Sequence, residues 1–477
     1  MGVRSGRTGP KSSRAENGMR DCDILIRNAY IITMDQHRTV FRNGAIAITG
    51  REISMVGPER EVVANYIGRS TLDAHGAPVH PGFVDAHWHN CNETTRGVFP
   101  DTATTKEYYK YYSAWYDEMT AADEYASARL SGLEMLRNGT TCFMEAGTAF
   151  ETSAVAEAAT NVGIRASLSE PFLWDQGDDG TLSKMKRIAP STKRCHDLLG
   201  SELWRNREDG LVRGHVCLFG SGSASDEIVR EACELAEKNN VVFTQHQSST
   251  LAGIAAQEAR MGREPLVHYG ELGLLKPHCS FTHMTLVRDD EARYVRESGM
   301  SIIWSPAISM NWGWVKGFAR SHPKLFRAGV NVALGSDVPK FGLDAAGMFA
   351  YLLSREAGDA EPLSAEEVFQ MSTRGGARAM CMADTIGSIE PGKLADVVVR
   401  TTELPEFQPG HYLVQNLLLA SRGKSVDTVI VNGRIVVRGG HSTQVDEGEV
   451  FAAARDSANR LANKIGVRSE SPWRVVD

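Results

Sequence analysis

The chain has no apolar run approaching ~18 residues, so no transmembrane helix is expected. It has no Cys-x-x-Cys pair. Its eight cysteines, at 22, 91, 142, 195, 217, 233, 279 and 381, are scattered and read as reduced thiols in a cytoplasmic protein. A large net charge is lacking as well: −7 over 477 residues gives no reason to expect nucleic acid or an anionic membrane as a partner. Residues 1–20, rich in Arg, Ser and Gly, contain no apolar stretch of the kind a secretory signal needs. They also lack the amphipathic face of a transit peptide, so a disordered N-terminal segment is expected over 1–21. No internal repeat and no low-complexity linker is visible.

What is present is long and ordinary in composition. A chain of 477 residues can bury a large core and carry an accessory domain. Residues 23–28 and 44–48 read as short strands, and 395–399 and 428–437 have the same texture at the far end. Asn432-Gly433 is a hairpin turn signal. Between these ends strand and helix alternate. Helical patterns over 123–138, 152–162, 226–239 and 289–298 are interleaved with strands over 140–144, 164–168, 215–219, 241–246, 279–283, 300–305 and 331–335. A recurring βα unit over about 300 residues favours a closed (β/α)8 TIM barrel. The expected organisation is therefore α/β. A β-sandwich is built from both chain ends, 22–80 and 386–445, around a barrel over 81–385, with a C-terminal helix and tail over 446–477.

The most informative segment is Pro81-Gly82-Phe83-Val84-Asp85-Ala86-His87-Trp88-His89. An apolar strand ends in two histidines spaced i, i+2, which share a face and can reach one metal ion. Three further strand ends carry His246, His283 and Asp337. Singly, each has a plainer reading: a strand-end His is commonly a hydrogen-bonded structural residue, and an Asp after Gly-Ser a helix N-cap. Jointly they lie at the ends of strands that converge in a barrel.

This constellation resembles the amidohydrolase superfamily over nearly the whole chain. Gly375-Gly376-Ala377-Arg378-Ala379 and Ile386-Gly387-Ser388-Ile389-Glu390-Pro391-Gly392-Lys393-Leu394-Ala395-Asp396 match its return into the β-sandwich. Glu134-Met135-Leu136-Arg137-Asn138-Gly139-Thr140-Thr141 resembles the branch of guanine deaminase, adenosylhomocysteine deaminase and the triazine hydrolases. The resemblance implies metal ligands His87, His89, His246 and Asp337. Other branches bridge two metals with a carboxylated lysine on strand four. Residues 214–221 contain no lysine, so one divalent ion is expected, and His215, at the strand's beginning, is read as structural. Three imidazoles and a carboxylate suit Zn²⁺, and Fe²⁺, Mn²⁺ or Co²⁺ also fit. Such an ion lowers the pKa of its water toward ~7 and so supplies the attacking hydroxide. Asp337 is then the acid/base that takes the water's proton and passes it to the leaving nitrogen. The resemblance assigns His283 to orienting the water or polarising the substrate.

There is one departure. Purine-type deaminases of this branch carry His-x-x-Glu on strand five, where the glutamate shuttles a proton to a ring nitrogen. Here Ser249 stands at that position, and a hydroxyl holds no proton in reserve near pH 7. Glu145 is a candidate replacement. Gln247, Ser249, Trp304, Met310, Trp312 and Trp314 are the other candidate substrate-binding residues; the tryptophan-rich loop suggests an apolar site accepting aromatics. Tyr108, Tyr109, Tyr111, Tyr112, Trp115 and Tyr116 form an aromatic helix, read as a lid or as a core or dimer stripe, and Phe172-Leu173-Trp174 is a similar candidate. The leading expectation is hydrolysis of a C–N bond in an amide, urea or carbamate of a small aromatic compound. The alternative is an aminohydrolase or chlorohydrolase acting on an N-heteroaromatic ring. An inactive scaffold is the remote third reading, opposed by the complete ligand set. Relatives of this kind are often homo-oligomers, and a small-molecule substrate is the expected partner.

Overall fold

A computed structural model describes residues 18–176, 187–314, 321–338, 341–356, 361–467 and 473. Most of the expected disordered N-terminal segment (1–17) and part of the C-terminal tail lie outside them.

Both chain ends build one nine-stranded sheet. Its N-terminal strands are Arg20–Ile32, Val40–Thr49, Glu52–Pro58, Tyr66–Asp73 and Pro78–Pro81; Val397–Arg400, Val426–Val431, Arg434–Arg438 and His441–Ser442 complete it. The two sets join where Val398 pairs with His80. The long strand Arg20–Ile32 pairs with Tyr66–Asp73 at its start and with Pro78–Pro81 at its end, so the sheet divides there. Ile24, Ile26, Ile46 and Ile48 are inward by alternation and share a core with Val79, Val397, Val399 and Ile430. Asn432 and Gly433 both take positive φ in the hairpin linking Val426–Val431 to Arg434–Arg438, as a tight primed turn requires.

The middle of the chain forms two all-parallel sheets. One holds Phe83–Trp88, Thr140–Glu145, Arg165–Leu168 and Val212–Gly214; the other holds Val216–Gly220, Phe243–Gln247, Cys279–His283, Ser301–Trp304 and Asn331–Leu334. Two seams join them. At the first, His215 alone separates Val212–Gly214 from Val216–Gly220. Its N–H bonds Leu168 of one sheet, and the N–H of Val216 bonds Val242 beside the other. At the second, Asp337 N donates to His87 O (2.9 Å) and His89 N to Asp337 O (2.9 Å). Val84, Ala86, Cys142, Met144, Val242, Ile303 and Ala333 share one interior cluster. Alternate residues such as Phe243, Phe281 and Ile302 pack outward under the helices.

Helices Ala121–Arg137, Thr152–Val162, Asp226–Asn239 and Asp289–Ser298 lie between these strands, within two residues of the expected bounds. Gly163 ends the second of them in the left-handed region (φ 84°), which explains the glycine there. The nine-stranded sheet is tied to the parallel ones by a buried bidentate pair: Arg165 Nε and Nη2 donate to Asp396 at 2.9 and 3.0 Å. Asp396 also accepts from Asn432 N, so no oxygen of this buried carboxylate is left uncompensated. The C-terminal helix Glu447–Ile465 anchors to Asp123 through Ser457 and Arg460. Among the described residues no helix is long and apolar enough to cross a membrane, and all eight cysteines are free thiols.

Candidate metal centre

The rim at the C-terminal strand ends gathers the histidines. A register shift between Asp85 and Trp88 lets His87 and His89 reach the interior while Trp88 packs outward. The ring of His87 lies 4.9 Å from those of both His89 and His246, and 5.5 Å from that of His283. One ligand atom from each of His87, His89 and His246 falls within 4.8 Å of the others, and the same holds for His87, His283 and Asp337. Asp337 Oδ2 is 3.5 Å from His87 Nε2 and 3.6 Å from His283 Nε2; Oδ1 is 3.9 Å from His89 Nε2.

The hydrogen bonds of the donor set bear on whether it fits a cation. His246 Nδ1 is 2.8 Å from the carbonyl of Phe219, which can only accept, so Nδ1 carries the proton and Nε2 a lone pair. Nδ1 of His87 is held at 3.0 Å by Thr282 Oγ1, and Nδ1 of His89 at 3.2 Å by Thr148 Oγ1. His246 Nε2 and His89 Nε2 face each other at 3.4 Å, and His87 Nε2 is buried with no hydrogen-bond partner among the described residues. Burial holds His87, His89 and His283 well below the usual imidazole range and lowers His246, so the rings are neutral. The His246 lone pair faces His89 Nε2 and the unbonded His87 Nε2, an arrangement that a cation among them would satisfy. Three imidazoles and a carboxylate therefore fit one divalent ion, Zn²⁺ first.

The backbone is distorted to build this rim. His283 has φ 76° and Asp337 φ 75°, a left-handed region that is uncommon for non-glycine residues. On strand Cys279–His283 the alternation puts Ser280 and Thr282 inward and Phe281 outward. The left-handed turn at His283 breaks that alternation, so both Thr282 and His283 reach the site. Gly335 is required by close approach: a Cβ there would stand 2.7 Å from His87 Cβ. Asp85, which burial pushes up to about 7, accepts from His87 N (3.2 Å), Ser336 N (3.1 Å) and Ser336 Oγ, joining the first strand to the Asp337 loop.

Aromatic rings wall the centre. Phe219 lies 5.4 Å and Phe172 6.1 Å from His246, and Trp314 meets His283 edge-on at 5.2 Å. Trp312 packs against Tyr108 and Tyr109 of the helix Thr105–Glu118, whose buried Tyr112 and Trp115 belong to the same cluster as Phe172. The aromatic helix and the tryptophan loop thus close on each other over this end.

The structure places the expected substrate contacts unequally, and some of them turn away from the histidines. Trp304 faces outward and stacks on His322 at 4.6 Å, because Ile303 takes the inward position. Gln247 is outward for the same reason: its amide donates to Gln257 Oε1 at 2.9 Å and to Ser248 Oγ at 3.2 Å. Glu145 is fully buried and accepts from Gly147 N, Thr148 N and Thr148 Oγ1, so it is no free proton donor. Met310 is 41% exposed on the helix Pro306–Asn311. Ser249 is half-buried, two residues past Gln247. His215 is buried outside the histidine cluster, with Nδ1 3.0 Å from Ser167 Oγ. Sequence reasoning missed Phe219, Thr148, Thr282 and His322, whose Nε2 donates to His283 O at 2.6 Å. Alternation counted from Phe281 would have found Thr282. Thr148 and His322 depend on turns that carry no sequence signal.

Comparison with known proteins points the same way. A family model described as "Amidohydrolase family" matches residues 79–436. A 5-methylthioadenosine/S-adenosylhomocysteine deaminase of Syntrophobacter fumaroxidans is 30% identical over 93% of this chain and 99% of its own. A 5'-deoxyadenosine deaminase of Methanosarcina mazei is 27% identical over 93% and 99%. Among solved structures, an adenosine deaminase from Xanthomonas campestris with bound zinc superposes with TM-score 0.82 at 25% identity, over 93% and 99%. The zinc complex of atrazine chlorohydrolase from Arthrobacter aurescens gives 0.80 at 23%, over 91% and 100%, a likeness of fold.

Proposed function

The chain belongs to the amidohydrolase family, and we propose that it is a metal-dependent hydrolase cutting a C–N bond other than a peptide bond. The observation carrying this is the convergence of His87, His89 and His246 ring nitrogens beside the Asp337 carboxylate. We read the two parallel sheets as halves of one (β/α)8 barrel, supported by the hydrogen bonds at both seams. The sheet from both chain ends is the accessory domain, with boundaries near residues 81 and 386. Eight unpaired thiols agree with a cytoplasmic protein.

His87, His89, His246 and Asp337 would hold one ion, Zn²⁺ first. When bound, it supplies Lewis acidity and a water acidic enough to ionise near neutral pH. The chain does the rest. Asp337 takes the proton of the attacking water and delivers it to the leaving nitrogen as the C–N bond breaks. His283, held by the His322–carbonyl bond and by its left-handed backbone, orients the substrate oxygen or the water. The aromatic walls exclude bulk solvent and strengthen these interactions.

The substrate reading rests on Ser249. With no carboxylate at that position to protonate a ring nitrogen, an amide, urea or carbamate of a small aromatic compound suits the site, and Phe172, Phe219 and Trp314 match such a ring. The second reading, deamination of an N-heteroaromatic ring, is favoured by the relatives, which are nucleoside deaminases by name. Zinc-loaded protein should be assayed by mass spectrometry on aryl ureas, carbamates and anilides beside adenosine-type nucleosides and triazines. Release of an aryl amine supports the first reading. Release of ammonia or halide from a ring replaces it with the second. No turnover of any member would remove both.

A further inference from the structure

The three imidazoles named as ligands are fixed in different ways. His246 needs no help, since a carbonyl dictates its tautomer. His87 and His89 instead meet hydroxyls, which can either donate or accept. An Nδ1 that accepted a hydroxyl proton would leave Nε2 protonated and unable to bind a cation. Some further group must settle the direction.

For His89 that group is present. Glu145 closes the strand Thr140–Glu145, and the chain turns back at once so that Gly147 N (2.7 Å) and Thr148 N (2.9 Å) donate to its carboxylate. A carboxylate already receiving backbone N–H groups acts as an acceptor, so the Thr148 hydroxyl donates to it as well. Thr148 Oγ1 then has only lone pairs to offer His89 Nδ1 at 3.2 Å. Glu145 and Thr148 are both fully buried, out of reach of bulk solvent. Among the described residues no carboxylate bonds Thr282, the counterpart behind His87.

We propose that Glu145 and Thr148 form a relay that holds His89 in its Nδ1–H tautomer, making both positioning residues for the metal. This rests on His89 being a ligand. The relay replaces the expectation that Glu145 donates a proton to substrate. Its carboxylate is taken up by Gly147 and Thr148 and acts on His89 only through the Thr148 hydroxyl. Outer groups of this kind typically change metal affinity 10–100-fold.

The test is zinc affinity of the full chain by competition with a chromophoric chelator, together with the melting temperature of metal-free and zinc-loaded forms. Thr148→Val should weaken zinc about 10–100-fold and shrink the zinc-induced rise in melting temperature. Thr148→Ser, which keeps the hydroxyl, should bind like the parent. Glu145→Gln, whose amide can donate to Oγ1 and reverse the relay, should also weaken zinc; it decides the matter if Thr148→Val does not fold. Parental affinity in Thr148→Val and Glu145→Gln, with affinity lost in His89→Ala, overturns the relay alone. An equal loss in Thr148→Ser and Thr148→Val also overturns it, because lost packing would then be the cause. Parental affinity in His89→Ala removes the ligand assignment and the relay with it.

Discussion

His246 and Gln247 are neighbours on one strand, yet their side chains meet opposite conditions. The His246 ring faces other imidazoles, with Nε2 3.4 Å from His89 Nε2. The Gln247 amide is bonded by Gln257 and Ser248 behind the strand. Ile303 and Trp304 divide in the same way, the first inside and the second stacked on His322. The inner rim also holds the left-handed residues Ser248, His283 and Asp337 and the orphaned His87 Nε2 and His283 Nδ1. Locally unfavourable features of this kind persist where the surrounding structure enforces them, and they mark where chemistry is done. The comparison implies that inward substitutions act on metal and turnover, and outward ones on stability.

The largest effect is expected at His246→Ala. Losing one of four ligands should take zinc content after dialysis from one equivalent to a small fraction and activity to background, with the far-ultraviolet circular dichroism unchanged. Full occupancy in that variant would break the division at its strongest point. Next is Asp337→Asn, which keeps the side chain's shape and removes its proton acceptor. Turnover should fall about 10²–10⁴-fold, the usual weight of general acid–base catalysis, while the protein stays folded. Near-parental turnover would end the acid/base assignment.

Ser249→Glu should act more mildly. It restores a carboxylate three residues after His246, where ring protonation needs one. Ammonia release from adenosine-type nucleosides should rise by about tenfold or more, below the full range for an optimally placed acid. An unchanged rate would show that the missing carboxylate does not separate the two substrate readings.

These positions were unequally legible in the sequence. The βα repeat, the pairing of the two chain ends and the Asn432-Gly433 hairpin follow from patterns a few residues long, and such patterns survive folding. The convergence of His87, His89, His246, His283 and Asp337 could be anticipated because strand ends in a barrel face a common point. Strict alternation also places Gln247 and Trp304 on the outer face. The rule that turns His246 inward already turns Gln247 outward, and the same count from Ile303 excludes Trp304. The remaining omissions have another origin. Thr148 and His322 reach the site through turns and a helix approach that leave no periodic trace, and His283 through a single positive φ.

The smallest effect on the reaction is expected from the outward neighbour. Gln247→Met keeps the length and bulk of the side chain and removes its polar atoms. It leaves Gln257 Oε1 without its donor and takes an acceptor from Gln245 Nε2, both in buried surroundings. Unsatisfied buried amides cost about 1–3 kcal/mol, so the unfolding midpoint in denaturant should fall measurably. Zinc affinity and turnover per bound zinc should not change, because the side-chain partners of Gln247 among the described residues, Gln245, Ser248 and Gln257, are not metal-facing. If turnover falls along with stability, the strand is not a partition between two independent layers, and the outer amide network positions His246. If stability alone moves, side-chain direction at adjacent residues is enough to separate folding from chemistry on this strand.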